Sequence, residues 1–527
     1  MRSFAAPIAD PRPAGLAECS VEHDAMNLPQ PCGGARPNRR PRTDCVLGVD
    51  VGTSAVKAGA YDLCGRALPH TAHRESHRPG APAPGASEFE PEVLVETVAR
   101  CIDGCLARLA GRSIRPVAVG MCTFWHSMTG VDNDFRAVTP LYTWADQRPG
   151  TEAARLAAGP GAADLPASVG CPWHPSYFPA RLLWVAQQHP DLFARVSRWV
   201  SPGEYIHARL FGHAGCSVSM ASATGLLDQA SCAWSARAAT AAGISVDHLG
   251  PLIDLSDVVT GLTPPWASRW PALADVPWAP AIGDGAAGTL GSGCHDEREM
   301  ALNLGTSGAL RVLYNGPVRV PDPGLWSYRL TRSRPIAGAA FSDGGNLLRW
   351  MRSTLRCPRD PRIRRADPGL HGLSLLPTFA GERSPGWRPD STGAISGLTL
   401  ETSPGDLLQA AAEALALRFA HMADALRSTF PLAHRIVASG GQLVSQPELP
   451  GLLADALGVE VLTLADTEAS CRGAALSALI GIGAMESPAE IATPPGQTVA
   501  PCLRRTALYR TELARQQDLA ARLAERM

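Results

Sequence analysis

Lysine is the amino acid that this sequence most nearly lacks. Lys57 is the single lysine, beside 47 arginines. Because a compact ammonium and a planar guanidinium do different chemistry, that one position needs a local explanation. An excess of charge is also missing, since 48 Lys and Arg residues stand against 49 Asp and Glu residues. This balance excludes a broadly basic protein that binds nucleic acid or an anionic membrane through its charge.

Long apolar runs and paired cysteines are absent as well. No uncharged apolar stretch reaches the roughly 20 residues of a membrane-spanning helix, and the first residues contain no continuous apolar segment like that of a secretory signal. The 14 cysteines are scattered singly. Cys101 and Cys105 have no second pair nearby that would complete a zinc site, so we interpret them as core residues. These absences predict a cytoplasmic protein with reduced thiols.

The sequence does contain enough apolar material for large folded domains. Hydrophobic residues make up 45% of the 527 residues and charged residues 18%. These values exclude a mostly disordered chain, and the length predicts two large domains or three small ones. Residues 1–43 are rich in Pro, Arg and Gly without periodicity, which predicts a disordered extension.

A short pattern occurs twice in the chain. An apolar strand, a Gly-Thr-Ser turn and a second apolar strand follow one another in residues 49–61 and again in residues 302–314. Such a pair of hairpins predicts two related α/β domains that face each other. The segment 150–280 is interpreted as partly an insertion. Apolar spacing predicts helices over residues 92–110, 181–195, 407–426, 446–457, 469–484 and 506–527, and strands over residues 117–121 and 435–438.

The first hairpin turn has the residue types of a phosphate site. The backbone N–H groups of Gly52, Thr53 and Ser54 form a candidate anion cradle, since glycine lets the main chain approach a ligand closely. Asp50, at the end of the preceding strand, is placed to hold a hydrated Mg²⁺. Lys57, on the returning strand, fits two roles, a phosphate-binding ammonium or a plain charge at a strand edge.

Two further turns repeat or extend this chemistry. The second hairpin offers donors from Gly305, Thr306 and Ser307, and two opposed cradles fit a polyphosphate better than a monophosphate. The turn at Gly440 and Gly441 follows a predicted strand and precedes a predicted helix, a place where backbone packs against a flat ring or a phosphate.

An aspartate between two glycines ends the apolar strand that precedes the second hairpin. A carboxylate exposed at a strand end, with no side chains beside it, suits a general base for a substrate hydroxyl. Asp284 is therefore the candidate base, and an ordinary Asp-Gly turn is the alternative interpretation.

Together these motifs resemble those of the FGGY carbohydrate kinases, which belong to the sugar kinase, Hsp70 and actin superfamily. Residues 50–57 are similar to the family's first phosphate motif, residues 303–308 to its second and residues 438–442 to its adenosine motif. The resemblance implies an α/β fold of two ribonuclease-H-like domains with a central cleft that closes over ATP, Mg²⁺ and a sugar. It also implies that Asp284 is the catalytic aspartate.

The resemblance also divides the chain. We expect an N-terminal kinase domain over residues 44–293, a C-terminal kinase domain over residues 294–500 and a final helix over residues 501–527. The expected partner is a small sugar or sugar acid, with neither nucleic acid nor membrane. The oligomeric state is open, and a homodimer is one of the states that the sequence allows.

Two segments resemble the sugar-facing segments of the family. One contains Trp125 and His126, and the other contains Trp144, Asp146 and Arg148. Aromatic rings pack on the C–H faces of polyols, while charged and polar side chains bind their hydroxyls. Trp144 fits a core role equally well.

The sugar itself is less clearly indicated. The motifs resemble the gluconate-kinase branch most, and gluconate carries a carboxylate that needs a cation, for which Arg148, Arg311 and Arg383 are candidates. A ketose such as xylulose would need none. A nucleotide-switched interaction protein of the same superfamily is the alternative from another class, but it would need neither the sugar-facing set nor Asp284. A sugar-binding relic without turnover is disfavoured because Asp50 and Asp284 are both intact.

Overall fold

The described part of the chain begins where the apolar sequence begins. The computed structural model describes residues 43–160, 162–319, 324–355, 362–465 and 467–524. The extension expected over residues 1–43 lies, apart from Thr43, outside the described residues. The first strand begins at Thr43.

The first half of the fold runs to Gly291. Its strands are β1 (Thr43–Val51), β2 (Ala55–Tyr61), β3 (His73–Ser76), β4 (Glu88–Phe89), β5 (Ile114–Thr123), β6 (Thr129–Val131), β7 (Leu141–Tyr142), β8 (Arg198–Val200), β9 (Cys216–Ser217), β10 (Leu227–Asp228), β11 (Ala233–Trp234), β12 (Leu252–Ile253) and β13 (Ile282–Gly283). Its helices are α1 (Pro91–Leu109), α2 (Gly150–Ala158), α3 (Asp164–Val169), α4 (Phe178–Gln188), α5 (Pro190–Arg195), α6 (Pro202–Phe211), α7 (Val218–Ala221), α8 (Ala236–Ala241), α9 (Pro264–Arg269) and α10 (Asp284–Gly291).

The second half begins at Glu299. Its strands are β14 (Glu299–Leu304), β15 (Gly308–Leu313), β16 (Trp326–Thr331), β17 (Arg334–Phe341), β18 (Ser374–Leu376), β19 (Ala394–Ser396), β20 (Arg435–Ser439), β21 (Val461–Leu464) and β22 (Gly496–Val499). Its helices are α11 (Gly345–Thr354), α12 (Pro404–Thr429), α13 (Gly441–Ser445), α14 (Leu449–Leu457), α15 (Ala469–Gly481) and α16 (Leu503–Ala524).

The two main sheets have the same strand order. The first sheet has the order β13-β5-β1-β2-β3, with two parallel pairings followed by two antiparallel ones. The second contains the matching series β21-β20-β14-β15-β17, again with two parallel and then two antiparallel pairings. This repetition confirms the prediction of two related α/β domains.

The long segment between β5 and β13 does not interrupt the first sheet. These two strands are neighbours, with Thr123 paired to Gly283, although the chain between them contains β6–β12 and α2–α9. The central strand β1 is buried along nearly all of its length, as expected for a strand covered on both faces.

Local sequence signals explain where several helices begin and end. The 26-residue α12 begins with a capping box between Ser403 and Asp406 and has Pro404 in its first turn. The helix predicted over residues 181–195 is in fact two helices, because Pro190 cannot continue the first one. The helix predicted over residues 446–457 is α14, which begins three residues later, at Leu449, and ends at Leu457 as predicted.

Helix α15 of the second half packs directly on the first sheet through glycines. A Cβ at Gly48 of β1 would lie 2.1 Å from the carbonyl oxygen of Cys471, and one at Gly120 of β5 would lie 1.8 Å from that of Ala474. Such distances leave no room for any side chain. The contact therefore joins the two halves backbone against backbone, close to the edge where the candidate site lies.

Candidate active site

A cavity of about 1090 Å³ lies between the two halves of the fold. Both phosphate turns line it, with Thr53 and Ser54 on one side and Thr306 and Ser307 on the other, and so does Asp284. Its volume slightly exceeds the roughly 300–1,000 Å³ of a typical small-ligand pocket. The cavity therefore has room for more than one small molecule.

Asp284 lines this cavity and Asp50 does not, but the parallel strands place both candidate carboxylates at one edge of the sheet. β1 and β13 both pair in parallel with β5, so that Val51 and Gly283 are both opposite Thr123. Asp50, near the end of β1, and Asp284, directly after β13, consequently lie at the same edge of the sheet. Carboxyl ends of parallel strands are the usual ligand site of α/β folds.

Burial governs the ionisation of both aspartates. It raises the pKa of Asp50 to about 6, an effect that Lys57 opposes and the nearby Asp284 reinforces. Burial likewise raises the pKa of Asp284, although Arg311 and the Gly285 N–H group act to lower it. A raised pKa makes a carboxylate a better proton acceptor, which is the property of a general base.

The two glycines beside Asp284 make room for its neighbours. A Cβ at Gly283 would lie 1.8 Å from Nε1 of Trp125, and a Cβ at Gly285 would lie 2.3 Å from Cζ3 of the same ring and 2.8 Å from Nε of Arg311. Trp125 is fixed there because its Nε1 donates to the Ser219 carbonyl at 3.0 Å. The Gly-Asp-Gly sequence thus places an indole and a guanidinium directly beside the carboxylate.

Lys57, on the returning strand β2, makes a contact that its position in the sequence does not reveal. Its Nζ lies 2.6 Å from Oε2 of Glu468, immediately before α15, and it is paired across the strands with Asp50. Burial would lower the pKa of Lys57, but Asp50 and Glu468 outweigh that effect and raise it. The ammonium therefore links the two halves beside Asp50, whereas a direct phosphate contact remains a hypothesis.

The third turn packs against the second. Gly440 has a φ of +121°, and a Cβ there would lie 2.4 Å from the carbonyl oxygen of Leu304. Asn303 and Ser439 are register partners, and the Asn303 amide donates to the Ser439 hydroxyl at 3.3 Å. By contrast, a Cβ at Gly441 would meet nothing within 4 Å. The Gly441 backbone thus presents an open face, as an adenosine site requires.

Three of the predicted sugar-facing residues line the cavity, namely Trp125, His126 and Trp144. The Nε1 of Trp144 donates to the Thr53 hydroxyl at 3.0 Å, which ties its ring to the first phosphate turn. Nδ1 of His126 lies 2.7 Å from the Ala223 carbonyl. Since a carbonyl only accepts, Nδ1 carries the proton and Nε2 is the free acceptor. Burial and Arg383 lower the pKa of His126 well below its usual value, so the ring is neutral.

Asp146 and Arg148 do not line this cavity. Asp146 is fully buried, and Arg148 donates from Nε to its Oδ1 at 3.0 Å and from Nη2 to Glu88 at 2.7 Å. The guanidinium also lies 4.5 Å above the ring of Trp184. The two residues pair with each other and with Glu88 away from the cavity lining, and a contact with the sugar stays a prediction for both.

Comparison with known proteins agrees with this geometry. Residues 45–291 match the FGGY family of carbohydrate kinases, N-terminal domain, and residues 300–482 match the C-terminal domain of the same family. The chain belongs to the FGGY family of carbohydrate kinases. It is thus a phosphotransferase with the two-domain sugar-kinase fold, and kinases of this family use ATP as the phosphate donor.

Individual relatives of the kinase differ in their sugars. It is similar to the gluconokinase of Bacillus licheniformis, with 27% identity over 464 residues, 84% of this chain and 89% of the relative. It is also similar to the xylulose kinase of Escherichia coli (strain K12), with 26% identity over 403 residues, 75% and 81% of the two chains. The structure of gluconate kinase from Lactobacillus acidophilus aligns with a TM-score of 0.84 and 24% identity over 92% of this chain and 98% of that one. That likeness shows the fold alone.

The kinase also presents aromatic residues that the motifs did not indicate. Trp326 and Tyr328 line the cavity from β16 with rings stacked at 4.2 Å, and the Tyr328 hydroxyl lies 2.6 Å from that of Tyr177. Their spacing of two on a strand places them on one face, which was the available signal.

Among the described residues, no helix has the length and apolar character that a membrane span requires.

The raised pKa values predict how the activity of the kinase depends on pH. If Asp50 binds a cation and Asp284 accepts a proton, both must be ionised, and protonation begins at a higher pH when the pKa is raised. We therefore expect kcat/KM to fall as pH falls through about 6, measured from about pH 4 to about pH 9 in a coupled ADP assay. A profile that stays flat down to about pH 4, the ordinary range of an aspartate, would contradict this account.

Proposed function

We propose that this kinase transfers the γ-phosphoryl group of ATP to a primary hydroxyl of a sugar acid, with gluconate as the substrate. Arg311 carries the proposal. Its side chain lines the cavity, its Nε is buried without a hydrogen-bond partner, and within the described residues its guanidinium forms no ion pair. Asp284 acts to raise the pKa of Arg311 but forms no ion pair with it, so an anion that paired with this buried guanidinium would offset the cost of its desolvation. The carboxylate of a sugar acid is such an anion, and a neutral sugar has none.

A second arginine faces the same space. The guanidinium carbon of Arg383 lies 5.5 Å from the centre of the Trp144 ring, and its Nε is likewise buried without a partner in the described residues. Arg311 and Arg383 therefore form a candidate carboxylate subsite with planar, doubly donating groups. The similarity to gluconokinases supports this choice of substrate, while the similarity to xylulose kinases supports a neutral ketose as the alternative.

Asp284 is the proposed general base. Its carboxylate would take the proton from the attacking hydroxyl as that oxygen approaches the γ-phosphorus. The raised pKa favours this transfer, and the Gly285 N–H group, 2.7 Å from Oδ1, holds the side chain in place. Nε2 of His126 would accept a hydrogen bond from another hydroxyl of the sugar, and the face of Trp125 would pack against its C–H groups.

Asp50 and Asp284, at the shared edge of the first sheet, fit a divalent cation that enters with ATP. Burial and the neighbouring Asp284 raise the pKa of Asp50, so added positive charge here would stabilise its ionised form. The described ranges contain no group of three or more His, Cys, Asp or Glu side chains arranged as a metal site. Mg²⁺ in such enzymes takes one or two carboxylates, with water and phosphate oxygens. We propose that Asp50 holds it through water; when bound, it would neutralise charge on the phosphoryl oxygens.

The phosphate turns would then bind ATP from both sides. Thr53 and Ser54 would donate from the first half, and Thr306 and Ser307 from the second. Donors arranged in advance around the transferred group stabilise the charge that develops there. The open backbone face at Gly441 would take the adenosine.

A substrate panel tests the proposed function. ADP release by the purified full-length chain is measured with gluconate, xylulose, ribulose and glycerol in turn, at equal concentrations and with excess Mg-ATP. We expect release with gluconate and little with the neutral sugars. Release with xylulose alone would replace the sugar acid by a ketose and leave the ATP site and Asp284 as proposed.

A further inference from the structure

A buried carboxylate outside the groups discussed so far lies just after β17. Asp343 is 2% exposed. Its Oδ2 accepts the backbone N–H of Ala380 at 2.9 Å, the N–H of Phe379 also donates to the carboxylate, and the Asn346 amide donates to Oδ1 at 3.4 Å. The side chain thus binds a loop that is more than thirty residues further along the chain.

On one side, the residues next to Asp343 support the second phosphate turn. The N–H of Gly344 donates to the Thr306 carbonyl at 3.1 Å, and the N–H of Gly345 donates to that of Gly305 at 2.8 Å. A Cβ at Gly344 would lie 2.7 Å from the carbonyl carbon of Ser307. Here backbone lies directly against backbone, so the position of Asp343 is fixed relative to the turn.

On the other side, the bound loop carries Arg383 into the cavity. Asp343 holds the loop before this arginine, at Ala380, and β17 holds it after, because the N–H of Ser384 donates to the Ala340 carbonyl at 3.0 Å. Between these two attachments, Arg383 extends over Trp144 of the first half. The loop thus spans from the phosphate turn to the sugar end of the cavity.

We propose that Asp343 is a positioning residue that fixes Arg383 relative to the phosphate turn at Thr306. The inference rests on the proposed function in one respect, that Arg383 contacts the substrate. Removing the carboxylate would leave the N–H groups of Phe379 and Ala380 without their acceptor and loosen the loop there, while Arg418 would still hold Glu382 at 2.7 Å. A displacement of about 1 Å in a substrate-positioning group can cost about 10²-fold in rate.

Kinetics of Asp343→Ala test the proposal. We expect KM for gluconate to rise about tenfold or more, with KM for ATP within about twofold of the original value. Asp343→Asn keeps one acceptor oxygen, so its KM for gluconate should lie between that of the original protein and that of Asp343→Ala. Asp132→Ala is the matched control, because Oδ1 of Asp132 also accepts two backbone N–H groups, each at 2.9 Å, in a turn outside the cavity. This control should leave both KM values unchanged.

A double-variant cycle separates positioning from a general loss of structure. If Asp343 acts through Arg383, then Asp343→Ala combined with Arg383→Gln should be no worse for gluconate than Arg383→Gln alone. Effects that multiply would show that the two residues act independently and would overturn the inference.

Hydrogen exchange gives a reading that does not depend on the substrate. In Asp343→Ala, the amides of residues 379–380 should exchange at least about tenfold faster than in the original protein, while exchange there should be unchanged in Asp132→Ala. Unchanged exchange in Asp343→Ala would overturn the inference. If exchange accelerates but Arg383→Gln leaves gluconate kinetics unaltered, the contact between Arg383 and the sugar is wrong, and the attachment of the loop by Asp343 stands.

Discussion

Asp284→Asn is expected to lower kcat by about 10²–10⁴-fold, the usual contribution of a general base. The amide has nearly the same shape and keeps an oxygen for the Gly285 N–H group, 2.7 Å from Oδ1 in the original protein, but it cannot accept the proton of the attacking hydroxyl. Binding of ATP should change by less than about twofold, because the phosphate turns are untouched. The measurements are kcat by a coupled ADP assay and ATP affinity by titration calorimetry.

Asp62→Asn is the control for this substitution. Oδ1 of Asp62 accepts the backbone N–H groups of Cys64 and Arg66 at 2.9 and 2.8 Å, in the turn after β2, and the residue does not line the cavity. It should retain full activity. An Asp284→Asn enzyme with a kcat within about threefold of the original would remove Asp284 from the role of base.

Arg311→Gln is expected to lower kcat/KM for gluconate by about 10²-fold or more. Truncating one partner of a buried charge pair costs about 2–5 kcal/mol, much of it from the other charge left unpaired. The same substitution should change kcat/KM for a neutral sugar much less, by about fivefold at most. Steady-state kinetics with both substrates would measure the difference.

This comparison requires an alkaline buffer, because Arg311 also acts on Asp284. Loss of the guanidinium removes one of the groups that lower the pKa of Asp284, so the substitution also acts on the base that every substrate uses. When both substrates are measured at the same alkaline pH, the effect on the base is common to them, and the difference between the two losses belongs to the substrate. Arg136→Gln, on an exposed turn, controls for the lost charge. Equal losses with gluconate and with the neutral sugar would contradict the assignment of Arg311 to the carboxylate.

The backbone of the site could be predicted from the sequence because its determinants are local. A Gly-Thr-Ser turn between two apolar strands specifies a hairpin, although the glycine N–H is used within it, since that of Gly52 donates to the Ala55 carbonyl at 3.0 Å and that of Gly305 to the Ser307 carbonyl at 3.0 Å. Gly440 marks a turn because its φ of +121° is accessible to few residues other than glycine. The Gly-Asp-Gly sequence indicated a carboxylate at a strand end, but the expectation that no side chains lie beside it was wrong, since Trp125 and Arg311 do. The resemblance to a kinase family supplied the arrangement of the two halves.

The partners of charged side chains could not be predicted, because they come from distant parts of the chain. Lys57 pairs with Glu468 of the second half, and Asp343 binds the loop at Ala380. Arg148 is so close to Asp146 in sequence that a shared role was foreseeable. Whether the pair faced the sugar or the core depended on Glu88 and the Trp184 ring. The packing of distant segments determines which way such a pair faces, and the spacing of residues in the sequence does not show that packing.

The measurement that tests the central claim most directly compares gluconate with glucitol. The two molecules have the same carbon chain and differ at C1, where a carboxylate replaces a hydroxymethyl group. We expect kcat/KM for gluconate to exceed that for glucitol by about 10²-fold or more, the value of a buried charge pair of about 2–5 kcal/mol. Equal values, or a preference for glucitol, would contradict the claim that Arg311 and Arg383 bind the carboxylate of a sugar acid.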